Sequence, residues 1–263
     1  MFILLSDKEP RLKRHYLTYR ITFIVTFVVS YLLMKIISTV LTKPHQRRTK
    51  DFFFSPYISQ RSLSFSTVTE FNSLLLTFFL SFSLAACLVV IGRMIFKSPQ
   101  YLEVLLLAPV MLFMTESLGA LGQMIFFKTC RNSFPIHHRP LSSSTLSQFW
   151  GRHWNLWVQD WLKDISQPFR GQKIKRLAVI FLVSGFFHEI WINLPYWLAY
   201  RKSYFGTMMA YFICQALGLL IEKKYLRTKA PLVKRMFMLA VVFLPAPLFV
   251  NVPILTFLGF LHG

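Results

Sequence analysis

His188 is the residue of this chain best placed for acid–base chemistry. With Glu189 it lies inside the stretch from Leu177 to Tyr200, which is long and apolar enough to cross a bilayer. A crossing takes about 20 mostly apolar residues, and an ionisable side chain near its middle costs roughly 2.5 kcal/mol or more. Such residues therefore face a protein interior or a water-filled chamber. The remaining histidines, His15, His45, His137, His138, His153 and His262, fall in polar stretches or near segment ends. An imidazole, with a reference pKa of about 6.5, is suited to accept a proton from a reacting hydroxyl.

A second signal stands in the loop before that span. Trp150, Trp154, Trp157 and Trp161 recur at i, i+4, i+7 and i+11, a spacing that predicts one helix with an indole stripe. Arg152, Asn155, Gln159, Asp160 and Lys163 fall away from the centre of the stripe. Thr145 and Gln148 predict a capping-box start, and Gln167-Pro168 with Gly171 an end. Taken by itself this is an amphipathic helix at a membrane surface, where tryptophan and basic residues are ordinary. Asn155 stands 33 residues before His188, so the two signals meet only if this helix lies against the later span.

The elements that must position these residues are transmembrane helices. The chain has 263 residues, 54% of them hydrophobic, including 28 Phe, and the apolar residues come in long blocks. Spans are expected at about 21–41, 72–95, 101–127, 177–200, 204–221 and 236–260. This is an all-α polytopic membrane protein of roughly six to eight transmembrane helices plus the interfacial helix. Pro109 and the run Thr115-Glu116-Ser117-Leu118-Gly119 could divide the third segment into two short passes. Pro195, Pro245, Pro247 and Pro253 predict kinks. No repeat or linker divides residues 1–263, which read as one membrane domain. The basic N-terminus leads into a retained first span.

Lys and Arg number 30 against 10 Asp and Glu, a net charge of +20 concentrated between the apolar blocks. These cations are expected to set topology and attract anionic lipid, or to bind a phosphorylated substrate; no soluble domain remains to bind nucleic acid. Were the third segment to cross twice, the N-terminus, the 128–176 loop and the 223–235 loop would share the cytoplasmic side, leaving the 42–70 loop basic on the wrong one. Cys87, Cys130 and Cys214 offer neither a disulfide framework nor a metal spacing. Ile192 replaces the second histidine of a zinc-protease HExxH pattern, and His137-His138 with Cys130 is too loose for a metal ligand set. No metal is expected. Lys35 is expected to snorkel, Glu103 to lie near a span end, and Glu116 to line a polar path, cap a broken helix or neutralise a cation.

The run Phe149-Trp150-Gly151-Arg152-His153-Trp154-Asn155, preceded by Ser144 and Leu146, and the later Ser184-Gly185-Phe186-Phe187-His188-Glu189 resemble the paired signatures of membrane-bound O-acyltransferases. The similarity spans residues 141–195 and is greatest to the wax-synthase-like branch, with sterol and diacylglycerol acyltransferases more distant. It differs where such wax synthases have Arg-Arg-Trp and this chain has Arg152-His153-Trp154, and the chain is shorter than most members. The resemblance implies that His188 is the catalytic histidine and Asn155 its partner. It implies too that Phe149, Trp150, Arg152, His153, Trp154, Ser184 and Glu189 surround the substrate.

Transfer from a thioester to an alcohol then needs a base, an electrostatic partner for the oxyanion and room for two lipid tails. His188 would be the base, with Ser184 available to hold its imidazole. The Asn155 amide would donate to the thioester carbonyl or orient the ring. Arg170, Lys173, Lys175 and Arg176, with Arg152 and Lys163, would engage the phosphates of acyl-CoA, a co-substrate and not a resident cofactor. Glu189, about 100° around the helix from His188, is expected to pair with a polar group of another helix. A long-chain alcohol is the first choice of acceptor; diacylglycerol, a sterol or a terpenoid are alternatives. The membrane would be endoplasmic reticulum or a bacterial inner membrane, with homo-oligomerisation left open. The rivals are a transporter using His188, Glu189 and Glu116 as a relay, and a non-catalytic lipid-binding member.

Overall fold

The computed structural model describes residues 10–41, 52–59, 71–96, 101–127 and 135–261, and no strand occurs among them. Three long helices come first: α1, Pro10–Leu41; α2, Phe71–Ile95; and α3, Tyr101–Ile125. After the loop that carries the tryptophans come α4, Leu156–Ile165, and α5, Lys173–His188. A π-helical turn, Glu189–Asn193, joins α5 to α6, Leu194–Tyr200, so that one helical path runs from 173 to 200. Then come α7, Thr207–Tyr225, and α8, Pro231–Phe243, and the short α9, Ala246–Phe249, and α10, Val252–Phe257.

Five helical stretches are long and apolar enough to cross a membrane: Arg14–Leu41, Phe71–Ile95, Glu103–Ile125, Lys173–Tyr200 and Pro231–Phe249. Their outer faces expose large apolar side chains, including Ile24, Val25, Leu76, Phe79 and Met94. A soluble helix could not leave so much apolar surface uncovered, and the chain is an all-α membrane protein. Threonines within these helices return their hydroxyls to their own backbone, as Thr22 does to the Thr18 carbonyl at 2.8 Å and Thr77 to Ser73 at 2.8 Å. The expected span at 204–221 is helical too, although α7 carries Gln215, Glu222, Lys223 and Lys224 and is not among the five.

The third segment is not divided. Helix α3 runs for 25 residues through Pro109 without a break, about 37 Å of helix. A proline removes one backbone donor, and buried neighbours can absorb that loss in a membrane helix. The last segment is where proline does divide the chain: α8 stops at Phe243, Pro245 precedes α9, and Pro253 lies in the first turn of α10.

With α3 one unbroken helix, contacts at the two ends of the bundle show which helix ends lie together. At one end of the bundle Tyr19 of α1 donates to the Pro253 carbonyl at 2.8 Å and packs edge-on against Tyr196 at 5.5 Å. There too Arg93, at the end of α2, binds the Leu258 carbonyl. At the other end Ser59 donates to Asp164 at 3.3 Å, and Glu222 accepts from the backbone of Leu146 at 2.5 Å. The start of α1 and the 135–172 loop therefore lie at opposite ends, contrary to the shared side expected from a doubled third segment. Most of the basic 42–70 loop, with His45, and also Cys130 and His262, lie outside the described residues.

Lys35 does not snorkel. It is 1% exposed, and its ammonium donates to the carbonyls of Phe52 at 2.9 Å, Phe53 at 3.3 Å and Ser55. An interior cation of this kind needs its donors filled, and the 52–55 turn fills them while binding itself to α1.

Candidate functional site

The loop before α5 is built from its caps. Thr145 accepts from the Gln148 amide at 3.1 Å, as its sequence position predicts, and starts one helical turn at Leu146–Gln148. The chain then widens into a π-turn, Phe149–His153, and Trp154 is extended. Asn155 follows with φ 41° and ψ 62°, a left-handed conformation that asparagine tolerates better than most residues. Its Oδ1 accepts from the Val158 amide at 3.3 Å and caps α4.

This geometry corrects the single tryptophan stripe. A residue at positive φ ends one helix and starts another, so the four indoles do not share a face. Trp150 and Trp154 pack with Phe149, Leu146 and Met238, Trp157 with Tyr57, and Trp161 with Met34 and Phe187. Helix α4 remains amphipathic, but it turns Trp157, Trp161 and Leu162 inward against the bundle.

The turn brings Asn155 to the wall of a cavity of about 390 Å³ that His188 also lines. Phe149, Trp150, Trp154 and Ser184 share that wall, with Phe181, Trp191, Phe212 and Phe249. The imidazole of His188 is surrounded by Phe212 at 4.7 Å, Trp191 at 5.2 Å and Phe249 at 5.4 Å between ring centres. Its Nδ1 lies 2.7 Å from the Ser184 carbonyl. A carbonyl can only accept, so Nδ1 carries the proton and the neutral ring keeps its lone pair on Nε2. The backbone of Ser184, one turn earlier on the helix, thus makes the bond for which its hydroxyl was a candidate.

Three residues grouped with the substrate do not line this cavity. Glu189 is buried and its carboxylate is spent on α7: Oε1 accepts from the amides of Gly206 and Met209, both at 2.9 Å, and Oε2 from Asn193 at 2.5 Å. An anion at a helix N-terminus inside the bundle satisfies donors that no water would reach. The pairing with another helix expected for Glu189 is what the geometry has. Arg152 is exposed. His153 binds the His138 carbonyl through Nδ1, while its own carbonyl accepts from the His138 amide at 2.8 Å, so it fastens the loop.

None of the four cations assigned to phosphate recognition lines the main cavity. Arg170 and Lys175 are exposed, Arg176 donates to Ser166 at 3.2 Å, and Lys173 lines a different groove. Lys163 reaches the main cavity wall and donates to Gln159 at 2.6 Å. Glu116 does not line the cavity, so of the expected relay His188, Glu189 and Glu116 only His188 does.

His137 is the residue that the polar character of its stretch concealed. It is 4% exposed and lines the same cavity. Its Nδ1 accepts from the Asn155 amide at 3.0 Å, its ring lies 4.3 Å from that of Trp154, and Nε2 meets the Thr115 hydroxyl at 2.9 Å. Thr115 donates in turn to the Met111 carbonyl at 2.9 Å, so Nε2–H must be the donor to Thr115. Burial pushes its pKa down to about 3. His137 is a neutral clamp between α3 and the left-handed turn at Asn155.

Helix α7 supports both signature segments. Gln215 accepts from Trp150 Nε1 at 3.1 Å and donates to the Val241 carbonyl at 2.7 Å, and Glu222 binds the amides of Leu146 and Ser147 and the Ser147 hydroxyl. The sequence showed α7 only as an apolar segment with polar interruptions; those interruptions are its contacts with the site. No family model matches the chain, and neither does any curated protein.

Proposed function

We propose that this chain is an acyl-CoA-dependent O-acyltransferase that esterifies a hydrophobic alcohol inside the membrane, a long-chain alcohol being the first choice of acceptor. One observation carries the reading: His188, with Nδ1–H bound to the Ser184 carbonyl and Nε2 left as a base, shares an apolar cavity with Asn155. In that arrangement Nε2 takes the hydroxyl proton as the alcohol oxygen attacks the thioester carbon. The C–S bond breaks, and the imidazolium returns the proton to the departing thiolate. Asn155 has Oδ1 committed to the cap and no bond to Nδ2 among the described residues. That leaves Nδ2 to donate to the oxygen on which charge develops. Apolar walls hold the two tails and keep bulk water from the thioester.

The same reading includes a multi-pass orientation. With α3 crossing once, residues 52–59, 135–172 and 223–235 fall on one side. The loops to which they belong, 42–70, 128–176 and 223–235, together carry 20 of the 30 Lys and Arg in the sequence, so that side is cytoplasmic. The basic 42–70 loop then follows the rule, and the basic start of α1, on the opposite side, becomes the exception to it.

The test is thiol release from long-chain acyl-CoA by the purified protein, with and without a long-chain alcohol, with the ester identified by mass spectrometry. Alcohol-dependent release, lost in His188→Ala and His188→Gln while both remain folded, is expected. Wild-type turnover by folded His188→Ala would refute the assigned base. Absence of turnover with alcohols, diacylglycerol and sterols would refute the reaction class and return the transporter and lipid-binding readings to the front.

A further inference from the structure

A second cavity, of about 410 Å³, opens where α5 begins and α7 ends. Its cations come from three places in the chain: Lys173 from the first turn of α5, Lys223 and Arg227 from the end of α7 and the turn after it, and Lys234 from α8. Lys173, Lys223 and Arg227 are exposed and form no ion pair among the described residues. Lys234 donates to the Arg227 carbonyl at 2.9 Å, which ties α8 to the turn. The one carboxylate on the wall, Glu222, is already bound to the Leu146 amide at 2.5 Å, the Ser147 amide at 3.1 Å and the Ser147 hydroxyl. Helix α5 starts here with no side-chain cap and no acidic residue in its first turn, so its positive end adds to the four cations.

Apolar residues line this groove too, the partly buried Leu220 and Leu226 and the exposed Ile174. Ser147, Leu177 and Leu219 line both this groove and the main cavity. A cationic mouth therefore adjoins an apolar chamber through a shared wall.

We propose that this groove recognises the phosphate of an amphiphile whose tail continues into the main cavity. Four cations from three segments suit a polyvalent phosphate ester, and the shared wall suits the chain attached to it. The course of the tail rests on reading the main cavity as a lipid chamber; recognition of the phosphate does not. Two sources supply this chemistry: an anionic phospholipid of the bilayer, and the phosphorylated carrier of an acyl thioester.

The test is equilibrium binding of radiolabelled dioleoylphosphatidate and of palmitoyl-CoA to the full chain in neutral detergent, with dioleoylphosphatidylcholine as the comparison. Lys223→Gln with Arg227→Gln is expected to weaken at least one phosphate amphiphile by about tenfold or more. Lys224→Gln with Lys229→Gln removes the same charge outside the groove and is expected to change affinity by less than about twofold. Lys173→Gln, on another helix, provides a second groove variant should the first pair not fold. The amphiphile that responds to the groove variants identifies the source. Equal losses in groove and control variants, or no loss in either, would overturn the proposal. Groove-dependent binding in a wild-type protein that turns over no alcohol, diacylglycerol or sterol would tell against acyl transfer while leaving the groove standing.

Discussion

Trp150 donates its indole N–H to Gln215 across 3.1 Å, and this bond fastens the π-turn at 149–153 to the middle of α7. The same helix sets Phe212 against His188, begins on the Glu189 carboxylate and ends with Glu222 holding the 146–147 turn. Two segments that sequence separates are thus referred to one frame.

Gln215→Leu should destabilise the protein by about 1–3 kcal/mol, since it leaves the Trp150 donor and the Val241 carbonyl without partners in a buried place. A lowered melting temperature in detergent would show it. Equal melting of the Leu variant and wild type would contradict the role given to this bond.

Glu189→Gln keeps the shape of the side chain and loses the charge that balances the start of α7. The expected result is a lower melting temperature with turnover per folded molecule close to wild type. A variant that melts like wild type and does not turn over would move Glu189 into the chemistry.

Asn155 has a structural role at its backbone and, on the proposed function, a chemical one at its amide. Asn155→Ala should lose both the cap and the tolerance of positive φ, each worth about 1 kcal/mol. Asn155→Asp retains both and puts a carboxylate oxygen in place of the Nδ2 donor. It should stay folded while kcat drops by roughly a hundredfold; undiminished kcat in the Asp variant would confine Asn155 to its structural part.

His137 makes stability depend on pH in a stated direction. Its folded pKa, pushed down to about 3 by burial, lies below the reference value of 6.5. The unfolded chain therefore takes up the proton first. Stability is unaffected above pH 6.5 and falls as pH drops from there toward 3, on the order of 1 kcal/mol per unit. Chemical denaturation of the wild type across pH 7 to 5, set beside His137→Gln, should show the slope reduced in the variant. Identical slopes would place the acid sensitivity elsewhere.

The helical spans and the interior place of His188 were legible because apolar length leaves few alternatives, while the expectation that Asn155 meets His188 came from the resemblance of the two motifs. The Thr145 cap was legible from local sequence. The continuity of α3 was not: Pro109 and Glu116 both argue for a break, and only packing against neighbouring helices decides that the helix passes through them. Nor was the fate of the tryptophans, because their 3.6-residue spacing carries no record of the positive φ at Asn155. His137 was missed since burial of a loop residue depends on what folds over it, here Trp154 and Thr115.

The π-turn at 189–193 stores information in a form that no single side chain holds. It puts one more residue into the path from His188 to Tyr196 than an α-helix would need, and each residue advances a helix by about 100°. Deleting one of Ile190, Trp191 or Ile192 would leave the number of residues a continuous α-helix uses, so the turn would close beside His188 while Tyr196 stayed on Tyr19; a deletion within α6 itself has no such slack and would turn Tyr196 away. Here the length of the chain is itself a coordinate, with one residue to spare at the turn and none after it.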